Sequence, residues 1–276
     1  MNNYLKILII TVLLAGVYFH TFTWMVDRWN AEGSYYSHGF LIPLVSIYLI
    51  WLKRNRLAGT EIAAFKPGIV FVVFGLLLHI ISTVIEIYFT SGFSFLFVLT
   101  GIILFIWGRE VFRVIWVPVN FLLFMLPLPL VLIANISLKM KLFAAGVAAF
   151  VLTHIGITAK SIGSIIYMQN SQLEVGDPCS GLRSLISLLA LGVLFAYFSR
   201  ISRPKKYFLV MISVPLALVS NIIRILFLAF VSDVYGTQYI HGFVHDAAGF
   251  MVFVVAFIGL MFVNNFLSGA KSESAD

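Results

Sequence analysis

Residues 203–232 read RPKKYFLVMISVPLALVSNIIRILFLAFVS. Behind the cations at its head, the run carries a single charge, Arg224. A spanning helix needs about 20 apolar residues to cross a hydrocarbon core of roughly 30 Å, and this stretch supplies them. Lipid offers no water to backbone N–H and C=O groups, so such a run has to satisfy them internally, as a helix. The fold therefore starts from a bilayer.

The rest of the chain agrees. Of its 276 residues, 61% are hydrophobic and 11% charged, and the mean hydropathy is +1.05. A soluble domain averages about 45–50% apolar and about 25% charged residues, so there are too few polar groups to cover a water-facing surface. Trp24, Trp29, Tyr35, Tyr36, Trp51, Trp107 and Trp116 gather near segment ends, as an interfacial aromatic belt requires. The formal charge of +7 does not point to nucleic acid, because the cations sit in short loops between apolar runs. A single cysteine excludes an internal disulfide and a multi-cysteine zinc site.

The apolar runs predict an all-α, polytopic bundle of about eight transmembrane helices, near 5–26, 36–53, 67–89, 93–108, 111–127, 180–199, 206–232 and 244–267. The first lacks a small-residue cleavage site and reads as a retained helix. One membrane domain over 1–270 is expected, with a short polar tail at 271–276. Two basic loops, Lys53 to Lys66 and Arg200 to Lys206, should be cytoplasmic. That places both termini inside and makes 129–156 cross an even number of times, either interfacial or re-entrant, or as two short helices. No net crossing is the favoured reading. Residues 158–178 then form an outer loop, in which Ile165–Met168 and Gln172–Val175 flank Gln169–Ser171 as a small β-hairpin leading to Cys179. An exposed edge there could accept an extended peptide.

Ionisable groups inside lipid cost several kcal/mol and are functional candidates by default. Three features reach a similar depth near one face: Cys179 before span six, Arg224 in span seven and His245 at the start of span eight. Arg224 lies 18 residues beyond Lys206, about 27 Å along a helix at ~1.5 Å per residue. A thiol beside an imidazole or guanidinium, at a helix N-terminus, becomes a nucleophile. His245 can protonate a leaving amine, and a guanidinium suits an oxyanion. Each residue also has a plainer reading. A lone cysteine is often an inert small hydrophobe, Arg224 could snorkel to headgroups, and His241 rivals His245. Arg183 could tune the thiolate or anchor a helix end, and Glu86 could serve as a counter-ion to an arginine.

The motifs around these residues identify a family. Leu173-Glu174-Val175 followed by Cys179-Ser180-Gly181-Leu182-Arg183, then Asn221-x-x-Arg224, then His245 four residues before Gly249, resembles the exosortase/archaeosortase membrane cysteine transpeptidases. Tyr36 to Pro43, with Ser37 and His38, and Phe124 to Pro129 extend the resemblance along nearly the whole chain. It implies Cys179 as nucleophile, Arg224 as oxyanion or thiolate partner and His245 as acid/base, supported by Arg183, Asn221, His38 and Glu86. Ser37 and His38, at the outer mouth of span two, line the site or pack the core. No cofactor and no metal is implied. The implied substrates are secreted proteins whose C-terminal tail combines a short motif (often of Pro-Glu-Pro type), one membrane helix and a basic cluster. These would be cleaved through a thioester and passed to an acceptor for surface or exopolysaccharide-associated sorting. The histidine implies the bacterial branch, a short form in a cell inner membrane with its site at the extracytoplasmic face. Two rival readings use the same residues. One is a non-enzymatic transporter or scaffold with a Glu86/Arg183/Arg224 network, and the other is a membrane acyltransferase or intramembrane hydrolase.

Overall fold

The computed structural model describes residues 3–176, 180–240 and 242–269. The chain divides into two compact units, Met1–Pro129 and Leu130–Asp276.

The first unit contains helices α1 (Asn3–Val17), α2 (Phe19–Asn30), α3 (Leu41–Leu52), α4 (Arg54–Ala58), α5 (Gly68–Val84) and α6 (Tyr88–Phe121). α1 and α2 meet at a 74° bend. Gly68, Gly75 and Gly101 let α5 and α6 approach until a Cβ at any of them would stand within 2.7 Å of the opposite helix, the small-residue packing that membrane helices use. α6 turns back at Gly108, whose backbone (φ 88°, ψ −179°) is non-helical. On a straight helix Gly92 and Leu126 would stand about 50 Å apart at ~1.5 Å per residue, yet a Cβ on Gly92 would lie 3.0 Å from the Leu126 side chain. The two arms of this hairpin correspond to the runs 93–108 and 111–127. Glycine is required at the turn, since a Cβ there would sit 1.9 Å from the Ala63 carbonyl oxygen.

The second unit contains α7 (Leu130–His154), strands β1 (Ala159–Ile162), β2 (Ile165–Met168) and β3 (Gln172–Glu174), and helices α8 (Leu182–Phe198), α9 (Arg203–Tyr235) and α10 (Phe243–Gly269). The sheet is antiparallel in the order β1-β2-β3. The expected hairpin is its β2–β3 half, with Ile166 opposite Leu173. β1 was not expected, because Ala159-Lys160-Ser161 lacks β-branched and aromatic residues. Ile166, Leu173 and Val175 close over a core shared by the alanine stripe of α7 (Ala144, Ala145, Ala148, Ala149), by Ile225, Leu228 and Ala229 of α9, and by Ala248 of α10. Farther along, Leu188, Ala217, Val252 and Ala256 knit α8, α9 and α10 together.

Among the described residues, four helical stretches are long and apolar enough, by length and composition, to cross a membrane: Leu130–His154, Arg203–Tyr235, Phe243–Gly269 and Tyr88–Met125, the last being the hairpin folded back at Gly108. The bent α1/α2 pair makes a fifth if it counts as one span. Ser37–Leu52, Gly68–Val84 and Leu182–Phe198 are apolar but shorter. A 17-residue helix rises only about 25 Å, less than a hydrocarbon core of roughly 30 Å. Of the about eight transmembrane helices expected, four or five meet the length of a full span among the described residues. The stretch 129–156 also differs from expectation. It forms one unbroken helix of 25 residues, long and apolar enough for a single crossing, where loop charges called for none or two. Lys139 and Lys141 look like interruptions in the sequence, but lysine is a good helix former. The buried stripe Ile133, Ser137, Ala144, Ala148 and Leu152 leaves both outside it.

Candidate functional site

α9 supplies the frame of the site. Asn221 and Arg224, three residues apart, share one face of this 33-residue helix, and both are buried, at 2% and 7% exposure. α10 brings His245 to Arg224, with Nη2 of the guanidinium 3.0 Å from Nε2 of the imidazole. A guanidinium has only donors. Nε2 must therefore accept, which puts the imidazole proton on Nδ1 and makes His245 neutral in this arrangement. Gly249, one turn along α10, lies beside the guanidinium, where a Cβ would stand at an ordinary contact of 3.7 Å from Nη2.

α8 enters from the other side. Its N-cap, Gly181, is left-handed (φ 79°, ψ −4°). A Cβ on Gly181 would lie 2.8 Å from Cγ and Nδ2 of Asn221, so the turn and the Asn221 carboxamide are in direct contact. The Gly181 carbonyl accepts from Leu185 N at 2.8 Å and from Ser184 Oγ at 2.9 Å. Ser180, fully buried, offers Oγ to Leu182 N at 3.4 Å. Cys179 immediately precedes Ser180 in sequence. Cys179 itself, with Asp177 and Pro178, lies outside the described residues, as do the rival His241 and the tail 271–276.

The structure thus brings together Arg224, His245, Asn221 and the turn after Cys179. Arg183 is half-buried in the first turn of α8. Glu86 belongs to the first unit, where it is exposed in the α5–α6 turn with φ 57°. Among the described residues no ion pair reaches it; the one salt bridge joins Arg113 to Glu110.

His38 also belongs to the first unit. There, two stretches without an assigned role meet. The ring of His38 bonds the backbone of Phe124, the Tyr36 hydroxyl bonds the backbone of Leu128, and Trp29 Nε1 donates to Met125 O at 2.9 Å. The Tyr36–Pro43 and Phe124–Pro129 stretches are therefore two halves of one contact.

A polar cluster that sequence reading did not assemble lies at the α1–α2 bend. His79 bridges Val17 O (Nε2, 3.1 Å) and Ser91 Oγ (Nδ1, 2.8 Å). Thr21 meets Ser91 at 2.6 Å, and Tyr18 meets Ser94 at 2.9 Å. Donation to a carbonyl requires the proton on Nε2, so Ser91 donates to Nδ1 and Thr21 donates to Ser91. The signal was faint, because scattered hydroxyl residues in apolar runs can equally bond their own helix.

A family model described as transmembrane exosortase matches residues 29–262, most of the chain and all of the site just described. No curated protein and no solved structure matches it.

Proposed function

Since the chain belongs to the transmembrane exosortase family, we propose that it is a membrane cysteine transpeptidase acting on secreted proteins that carry a C-terminal tail of motif, membrane helix and basic cluster. The observation that carries this reading is the contact of buried Arg224 with half-buried His245, 3.0 Å apart, Arg224 standing on a helix that also contacts the turn two residues after Cys179. A guanidinium is costly to bury in an apolar bundle and marks a functional candidate, and here one of its donors meets an imidazole.

The chemistry follows from that pairing. The Cys179 thiol proton passes to Nε2 of His245, and Arg224 gives up its hydrogen bond to that nitrogen as the proton arrives. The freed guanidinium donors face the charge that then develops. The thiolate attacks the scissile carbonyl carbon, and the resulting oxyanion is held by Arg224. Collapse of the tetrahedral intermediate breaks the C–N bond while the imidazolium protonates the departing amine. A thioester remains on Cys179. The acceptor nucleophile loses its proton to His245, attacks the thioester and displaces the thiolate, which takes that proton back from the imidazolium and restores the starting thiol and neutral imidazole. Neither step needs a group beyond these side chains and the two substrates.

The family and the basic loop before α9 favour a bacterial inner membrane, with 200–206 and the C-terminus in the cytoplasm and the site facing outward. Substituting Cys179 with Ala should abolish processing of a tailed substrate co-expressed with the protein, read as a shift in its mass. Undiminished processing with the Ala variant would sink the mechanism and favour a transporter or scaffold. A free carboxylate in place of a ligated product would indicate hydrolysis instead.

A further inference from the structure

We infer that Asn221 is a positioning residue that fixes the turn bearing Cys179 in register with Arg224; the inference rests on the proposed role of Cys179 as nucleophile. Asn221 is 2% exposed in the middle of an apolar helix. Were its task only to fill space, an aliphatic side chain would do so without the cost of burying an amide. Its carboxamide instead lies against Gly181, where a Cβ would approach Cγ and Nδ2 to 2.8 Å. Gly181 is constrained twice, by that approach and by its left-handed φ of 79°.

The turn is clamped from its other side as well. The Gly181 carbonyl takes two hydrogen bonds from the first turn of α8, from Leu185 N and Ser184 Oγ, and Ser180 is fully buried. Ser180 and Gly181, the two residues that follow Cys179 in the sequence, are thereby held to a fixed point on α9. The next residue on that face of α9, about 4.5 Å along its axis at ~1.5 Å per residue, is Arg224, which holds His245. One helix face therefore governs the separation between the nucleophile's turn and the Arg–His pair. A shift of an ångström in such a separation alters rates by orders of magnitude.

Because the chain has a single cysteine, its alkylation by N-ethylmaleimide in detergent micelles reports the thiolate without any knowledge of the substrate. The rate would be followed against pH for the full-length protein and for Asn221→Leu, Asn221→Ala and Arg224→Ala, with thermal midpoints measured alongside. Asn221→Leu keeps the branching and heavy-atom count of the side chain and suits the apolar surroundings, so a packing role predicts a wild-type profile in the folded variant. Positioning predicts that it slows alkylation at neutral pH about tenfold, the effect of ~1 unit in thiol acidity, with the thermal midpoint preserved. Should the Leu variant fail to fold, the Ala variant provides the same comparison. A wild-type profile in the folded Asn221 variant, with Arg224→Ala slowed, overturns the role of Asn221 alone. If Arg224→Ala also alkylates like wild type, the proposed site falls and this inference with it.

Discussion

At the residue scale, a guanidinium in an apolar bundle is most informative through its partner. The sequence placed Cys179, Arg224 and His245 at one depth, and the fold brings Arg224 and His245 to hydrogen-bonding distance. The direction of that bond, and hence the resting tautomer of His245, depends on contact and not on spacing. Two glycines in the same neighbourhood separate steric need from proximity. Gly181 combines a left-handed φ with a 2.8 Å approach to Asn221, whereas a Cβ on Gly249 would rest at 3.7 Å from Arg224, an ordinary contact. Gly181→Ala should therefore lower stability by at least ~1–2 kcal/mol, the cost of a left-handed non-glycine residue, while Gly249→Ala should leave the thermal midpoint close to wild type. Adding Asn221→Ala to Gly181→Ala should relieve the clash with the carboxamide, leaving the φ penalty and the tighter-than-usual 3.2 Å approach to the Cβ of residue 221. Equal losses in the single and double variants would show that Asn221 and Gly181 are not in contact.

At the scale of elements, the breaks are held as firmly as the helices. The α1–α2 bend would strand the Val17 carbonyl in an apolar environment, where an unsatisfied polar group costs about 1–3 kcal/mol. His79 of α5 takes that carbonyl and passes its other nitrogen to Ser91 of α6. A leucine at position 79 would remove both bonds at similar volume. His79→Leu should cost about 1–3 kcal/mol, whereas His79→Gln, with one donor and one acceptor at its end, should recover part of it. The comparison can be read from denaturation in mixed micelles, and equal stability of the Leu variant and wild type would contradict the clamp. The basic loop before α9 works in a similar way. Lys205 donates to Leu267 O and Lys206 to Tyr197 O, so cations that read as markers of orientation also cap the C-terminal ends of α10 and α8.

At the scale of the whole molecule, orientation is the property that local structure leaves to experiment. Loop charges predict 200–206 in the cytoplasm and the β-sheet outside. In a Cys179→Ser background, single cysteines at Asn170 and Ser202, both exposed, should differ in labelling of intact spheroplasts by a membrane-impermeant maleimide. The reagent should reach position 170 and spare 202. The reverse pattern would put the site in the cytoplasm, out of reach of secreted substrates.

The amino-acid sequence by itself determined the solvent, the helical class, the β2–β3 hairpin and the candidates for the site. Each of these follows from composition, from the length of apolar runs or from a motif with fixed spacing. Only the tertiary structure decided where helices bend, that α6 folds back at Gly108, that 130–154 is one helix, and that His79, Ser91 and Thr21 form one network. The physical reason is the same in every case. Lipid makes almost any apolar run helical, so the pattern is uniform along the chain. Bends and polar contacts arise where a backbone carbonyl, a hydroxyl or a missing Cβ on one helix meets its counterpart on another. Asn221 against Gly181 and Arg224 against His245 are two such meetings, each between residues more than 20 positions apart along the chain.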